Sequence, residues 1–450
     1  MKKIDNINKK SNDKIFNSKQ IIKEEKKKIK LEKKNIRKRK LKNIKKSRFG
    51  KFILMFSDGK DKYSFSEVFV ITLVSLIIGI FVCMSIFTII FGGRNYFKMA
   101  SKFGKIYDVY DALIDNYNGD IDKDKLIDEA INGMVSSVGD EYTSYSDTKS
   151  TDSFDEMVNG TYEGIGCTIM QDKEKVTVVD VYENTPAYKA GLKSGDIVKS
   201  VDGKDALELG IQELSNYIKN ESNGKVKMIV VRDDKEITVV LERSKVEIPM
   251  VSSKVYEENG KKVGYINISL FSSIATKQFE NALKKLDKED IKGLVIDVRG
   301  NSGGYLSTVT DITSMLLPKG KIIYQVQKGE KKTATKDKTS EHKEYPIAIL
   351  TNSGSASASE ILAAAIKESY KGYVVGTKTF GKGTVQQVKK LSDGSMIKYT
   401  TQNWLTPSGN WINEKGIEPT DEVIMDEKYY DDPVIENDNQ LKKALELVSK

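Results

Sequence analysis

Three short segments carry the residue types from which a hydrolytic site can be built. The first is Asn352-Ser353-Gly354-Ser355-Ala356-Ser357-Ala358-Ser359-Glu360, set between the apolar run YPIAILT and the helical run ILAAAIKE. A serine at a strand-to-helix junction exposes its hydroxyl, and the N–H groups that follow lie at the positive end of the helix. Serine and alanine strings at such a place also serve as caps and close packing. The second segment, Thr377 to Gln386, puts Lys382 between Gly381 and Gly383 after a strand. Such a lysine contacts phosphate or simply occupies a solvated turn, and the spacing of a P-loop is absent. The third, Asp297-Val298-Arg299-Gly300-Asn301-Ser302-Gly303-Gly304, follows the apolar GLVI. Paired glycines there present backbone N–H groups inward, as an oxyanion hole requires, or satisfy a turn that needs positive φ.

Elimination narrows the chemistry. His342 is the only imidazole in the chain, and its surroundings, KTSEHKEYP, read as an exposed loop. Without it there is no His-based triad, and no zinc site of the usual His/Cys types. Nothing in the chain calls for a metal or another cofactor. An unactivated serine hydroxyl is a poor nucleophile and needs a base. Among these motifs a lysine is the remaining basic option. At its ordinary pKa of ~10.4 a lysine is protonated near neutrality. A lysine base must therefore be buried enough to lose several pKa units.

The elements that must hold these segments follow from periodicity. From Val246 on, the strand-like VGYINI, GLVIDVRG, YPIAILT and GYVVG alternate with helices over 275–287, 305–317 and 357–369. That pattern predicts a core of layered β and α elements over 246–450, within an α+β chain. Over 160–245 the period changes to two. KVTVVDVY alternates, NTPAYKAGLKSGDIVKSVDG supplies a turn, a short helix and a strand, and VKMIVVR with ITVVLER forms a hairpin around Asp233-Asp234. This is a β-rich module of PDZ size. Within an N-terminal helical segment, 94–158, residues 102–137 show helical spacing, with Asp120 or Asp122 capping the second helix. The polar stretch SYSDTKSTDSFDE follows.

The N-terminal end is of a different kind. Residues 1–67 hold 24 Lys or Arg against 8 Asp or Glu, while the whole chain is only +9. Directly after this arm come 24 residues, 68–91, without a charge or a proline. As a helix they reach roughly 36 Å, enough for a ~30 Å hydrocarbon core. The reading is a transmembrane helix. The positive-inside rule then puts the basic arm in the cytoplasm and the rest outside. The arm is a solvated topology signal, with lipid contact as its next use and nucleic acid not expected as a partner. Cys83 lies in the apolar run and Cys167 far beyond it, which leaves no disulfide framework.

Taken together, the motifs resemble the S41 family, the carboxy-terminal or tail-specific processing peptidases, in their PDZ-containing bacterial form. The features run in order: GMVSSVGDEYTSY, YEGIG, NTPAYKAGLKSGDIVKSVDG, YINISLF, DVRGNSGG, GSASASEI, TFGKGTVQ and TPSGNWINEKGIEP. The resemblance implies a crotonase/ClpP-like core with an inserted PDZ domain. It implies Ser357 as nucleophile, Lys382 as general base and Gln386 as the residue that orients the lysine. The oxyanion donors would be the Ala358 N–H and an N–H of Gly303 or Gly304. Gly300-Asn301-Ser302 departs from the Asn-Asn-Pro common among relatives and keeps both glycines. In the PDZ domain, Tyr162-Glu163-Gly164-Ile165-Gly166 would capture a substrate's terminal carboxylate, the peptide adding as a strand. Substrates would be proteins with free, apolar C-termini. The pattern resembles the shorter, PDZ-gated bacterial members, including those that act in sporulation signalling. An inactive PDZ scaffold and a crotonase-like acyl-transfer enzyme are the competing readings. The helical segment 102–137 and NQLKKALELV (439–448) have apolar faces suited to a homodimer or, equally, to packing on the chain's own core.

Overall fold

A computed structural model describes residues 23–39, 42, 65–90, 96–221, 224–340 and 342–450. The chain divides into two units, residues 1–119 and 120–450. In the first, residues 23–39 are helical and exposed. Of the basic arm, 1–22, 40–41 and 43–64 lie outside the described residues. The apolar run forms one helix, Phe65–Ile90. Its stretch Phe69–Ile86 is long and apolar enough to cross a membrane, and none of it is buried. A further helix, Tyr96–Asn116, ends the unit.

The second unit opens with α1 (Lys123–Ser136), whose N-cap is Asp122, its side chain accepting from the Lys125 N–H. Then come β1 (Ser144–Ser146) and α2 (Thr148–Asn159). The polar stretch SYSDTKSTDSFDE is thus largely helical, which its composition hid. Asp147 caps α2 at one end and Gly160, at φ 71°, closes it at the other.

The β-rich module enters and leaves through paired strands β2 (Thr161–Gly164) and β9 (Ser244–Glu247), Thr161 lying opposite Glu247. Between them β3 (Cys167–Gln171), β4 (Val176–Val181), β5 (Ile197–Val201), β7 (Lys225–Arg232) and β8 (Lys235–Glu242) form one antiparallel sheet, with the short β6 (Lys204–Asp205) on β5. The helices α3 (Pro186–Lys189) and α4 (Ala206–Asn216) complete it. Asp233 and Asp234 both take positive φ at the β7–β8 turn, as a tight hairpin requires.

Beyond it lies the core. Strands β10 (Val251–Glu258), β11 (Lys261–Ile268), β12 (Gly293–Asp297), β15 (Ile347–Thr351), β16 (Tyr373–Gly376) and β19 (Asp421–Glu422) form a sheet in that order, parallel except for β10. Every residue of β12 and β15 is buried, as expected of strands covered on both faces. Alternate residues serve alternate layers. Leu294, Ile296, Ile347 and Ile349 pack among α5 (Ala275–Lys288), α6 (Leu306–Ser314) and α7 (Ala358–Ala365). Val295, Ala348 and Leu350 pack against α9 (Asn439–Val448), which follows the short α8 (Glu427–Asp431). The predicted β/α alternation is realised as three layers in a mixed α/β unit. A second sheet, β1-β18-β13-β14 with β17 on β18, was not foreseen; its strands are β13 (Ile322–Lys328), β14 (Lys331–Lys336), β17 (Thr384–Lys390) and β18 (Met396–Leu405).

Candidate active site

The site forms where two turns at the carboxyl ends of β12 and β15 are stitched together. The Ala356 N–H and the Ser359 Oγ both donate to the Asn301 carbonyl, at 3.0 and 2.8 Å. Ser355 Oγ donates to the Val298 carbonyl at 2.8 Å, and the Gly300 N–H to Asn352 Oδ1 at 2.9 Å. These bonds sort the serines of the first motif. Ser355 and Ser359 are fully buried with their hydroxyls spent on carbonyls, whereas Ser357 is half-buried. Ser357 sits at the N-cap of α7 with φ 54° and ψ −110°, a region disfavoured for any residue with a Cβ. Strain of this kind, on the order of 1–3 kcal/mol, persists only where surrounding bonds enforce it.

The enforcing group is Glu360, one turn into α7 and wholly buried. Its Oε2 accepts from the Ser357 N–H at 2.8 Å and from the Lys382 N–H at 2.9 Å. Its Oε1 accepts from the Gly381 N–H at 2.7 Å and Thr379 Oγ1 at 2.6 Å. A single carboxylate therefore grips both the serine turn and the lysine loop. Burial pushes its pKa up, while Thr379 and the three N–H donors pull it back. With every donor aimed at an oxygen, the carboxylate is the form that fits. Sequence reasoning passed over Glu360, although the Ser-x-x-Glu spacing of a capping box marks it. It also passed over Thr379 and Trp404, whose Nε1 fixes the Lys382 carbonyl at 2.6 Å.

The glycines divide by what they touch. A Cβ on Gly303 would lie 2.9 Å from the Ser357 Cβ and 3.1 Å from the Ala358 nitrogen, so this glycine lets the two turns meet. Its N–H is already given to Asn301 Oδ1 at 2.8 Å. The Gly304 and Ala358 N–H groups donate to no protein acceptor among the described residues.

Lys382 is half-buried, and burial, followed by the nearby Lys398, lowers its pKa; Asp140, Glu141 and Glu360 work against the shift. Its Nζ stands 4.5 Å from the centre of the Tyr142 ring. Gln386 does not reach the lysine here: its Nε2 donates to Thr384 Oγ1 and Thr400 Oγ1, at 2.8 and 3.2 Å. His342 is exposed beside Glu344, away from these residues in every contact described. The arrangement offers a strained serine at a helix N-terminus, a partly desolvated lysine in the adjoining loop and unspent N–H groups beside the serine. Acyl transfer is the chemistry these parts can perform.

In the β-rich module, Tyr162, Glu163 and Gly164 belong to β2 rather than to a loop, and only Ile165 and Gly166 lie beyond it, their carbonyls bonded to the module's own N–H groups. The Ile165 carbonyl accepts from the Ala187 N–H at 2.8 Å, and the Gly166 carbonyl from the Tyr182 N–H at 3.0 Å. The Tyr162 ring folds against Gly164, where a Cβ would meet it at 2.3 Å. Beyond Gly166, β3 pairs with β4 on one side only, so its other edge is open in the sheet.

Known proteins resemble this chain over most of its length. The carboxy-terminal processing protease CtpB of Bacillus subtilis (strain 168) is 37% identical over 347 residues, which span 76% of this chain and 71% of that protein. The chain belongs to peptidase family S41. It is a serine-type peptidase of the carboxy-terminal processing group. The family model for peptidase family S41 matches residues 262–423 and that for a PDZ domain matches 177–232. The model for the activating protease CtpB N-terminal domain matches 92–150. The CtpA processing protease of the same Bacillus strain is 35% identical over 332 residues, covering 73% of this peptidase and 71% of its own length. The solved photosystem II D1 C-terminal processing protease is 26% identical and covers 74% of the peptidase and 88% of its own chain, with a TM-score of 0.43.

Proposed function

We propose that this peptidase is a membrane-anchored endopeptidase in which Ser357 attacks the scissile carbonyl and Lys382 removes its proton. The observation that carries the reading is the Glu360 carboxylate, which accepts from the backbone N–H of both residues and so makes one unit of them. The Ala358 N–H and the uncommitted Gly304 N–H are the oxyanion donors; Gly303 supplies clearance. Gln386 orients the lysine once the Thr384 and Thr400 hydroxyls release it. A neutral amide suits that task, because a carboxylate there would favour the charged amine. The PDZ segment Tyr162–Gly166 takes the substrate's terminal carboxylate and the open edge of β3 takes its backbone, which selects proteins with free, apolar C-termini.

The exposed, uncharged stretch Phe69–Ile86 of the helix Phe65–Ile90 supports a single-pass anchor, and the charge of the arm supports a cytoplasmic N-terminus. Exposed Phe103, Ile106, Tyr107 and Val109 on the helix Tyr96–Asn116 suit pairing with a second copy. The deciding experiment is labelling by a fluorophosphonate probe. Wild type should label at serine, while Ser357→Ala and Lys382→Ala should not. Labelling of Ser357→Ala at wild-type rate would end the assignment.

A further inference from the structure

The Lys382 ammonium has an unusual neighbour. Its Nζ lies over the Tyr142 ring, 4.5 Å from the centroid. Among the described residues it makes no hydrogen bond or ion pair, so the ring is its one direct polar contact. Tyr142 comes from the turn between α1 and β1, remote in sequence from the serine and lysine motifs. That turn is firmly held. The Tyr142 N–H donates to Asp140 Oδ1 at 3.2 Å, and Thr143 Oγ1 to Asp140 Oδ2 at 2.5 Å. The Thr400 N–H of β18 donates to Thr143 Oγ1 at 3.3 Å, and β1 continues the register against β18. The turn that carries the ring is thereby tied to β18, the strand that pairs with β17, on which Gln386 lies. Burial first, and then Glu141, push the phenol up to about 12, so the ring is uncharged wherever a peptidase is assayed.

We infer that Tyr142 is a positioning residue for the base: its ring face holds the protonated Lys382 amine, which leaves the ring for Ser357 once it is neutral. The inference rests on the reading of Lys382 as the base. A ring face attracts a cation through its quadrupole and has no comparable hold on a neutral amine. Tyr142 thus favours the charged lysine, against burial and Lys398 and alongside Asp140, Glu141 and Glu360, the charged groups that bear on the amine. Weakening the ring's hold lets the amine lose its proton at lower pH. The acid limb of the activity profile then moves down by roughly half a unit to one and a half units.

The test uses the full-length protein in detergent, with kcat/KM on a reporter peptide and the rate of fluorophosphonate labelling both followed against pH. Tyr142→Phe keeps the ring and should keep the wild-type midpoint. Tyr142→Leu keeps bulk without the ring's quadrupole, and its midpoint should fall. An electron-poor trifluorophenylalanine introduced in place of Tyr142 keeps the shape as well, and it decides the matter if Tyr142→Leu fails to fold. An unmoved midpoint with that ring, or one displaced upward, overturns the inference. A merely structural Tyr142 would lower kcat and leave the midpoint alone. Lys382→Ala separates the two levels. If it stays active, the base assignment fails and the inference with it; if it is inactive while the Tyr142 midpoints do not move, only the inference is lost.

Discussion

Replacing Glu360 with glutamine changes one acceptor in a cluster of four buried donors. The amide oxygen can stay with the Ser357 and Lys382 N–H groups, where Oε2 now lies at 2.8 and 2.9 Å. The new NH2 then faces the Thr379 hydroxyl and the Gly381 N–H, which Oε1 now serves. The hydroxyl can turn and accept. The Gly381 N–H cannot, and one buried donor left unpaired costs ~1–3 kcal/mol. If that cost falls on the catalytic geometry, kcat drops between about 5-fold and about 10²-fold. Glu360→Ala strands all four donors, a loss of ~4 kcal/mol or more. That is a large part of the ~5–15 kcal/mol by which domains are stable, so the alanine variant should show a lowered urea midpoint as well. The assay is kcat on a reporter peptide beside urea unfolding of the same preparation. Wild-type kcat and an unchanged midpoint for Glu360→Gln would refute the clamp.

Lys382→Arg keeps the charge and cannot give up its proton, so it should be as inactive as Lys382→Ala in the same peptide assay. A base works when neutral, so wild-type kcat/KM should rise with pH through an apparent pKa below the ordinary lysine value, the direction that burial gives Lys382. Gly303→Ala would set a Cβ 2.9 Å from that of Ser357 at φ 114°, and displacing the serine should lower kcat by ~10²-fold. Gly304→Ala would meet the Phe271 carbonyl oxygen at 2.3 Å and should fail in thermal melting instead. Amidating a substrate's C-terminus should slow cleavage severalfold, and equal rates for acid and amide would remove the PDZ segment from recognition. Protease added to intact cells should degrade the C-terminal region and spare the basic arm, as tags at the two ends would report.

What could be read in advance was whatever burial imposes on a short stretch of chain. β12 and β15 are apolar at nearly every position because layers cover both faces, and Asp233-Asp234 announced its hairpin through the backbone it must adopt. The second sheet was illegible for the converse reason. In β18 seven consecutive residues are half-buried, so KYTTQN shows neither alternation nor an apolar run. Helix α2 buries only Thr151 and Val158, and its caps, Asp147 and Gly160, were the sole local signal. At the site, the serine and lysine motifs drew notice through their residue types, but each alone also read as a cap or a turn, and only the family resemblance singled out Ser357 and Lys382. The contact of Lys382 with Tyr142 joins distant segments through a sheet the sequence did not disclose, and no spacing rule reaches that far.

Helix α9 bears on how firmly the site is held. Arg299, at the root of the turn that carries Gly303 and Gly304, is held by Asp297 at 2.6 Å and by Asp438 at 2.8 Å. Asp438 also caps α9, accepting from the Leu441 N–H at 2.8 Å. The same helix covers Val263, Val295, Ala348, Leu350 and Val375, one whole face of the parallel sheet. Without α9 a buried guanidinium would lack half its countercharge and a sheet face would be wet. The turn beside Ser357 is thus tied, through Arg299 and Asp438, to a helix on the opposite face of the sheet, so whatever loosens that helix also loosens the site.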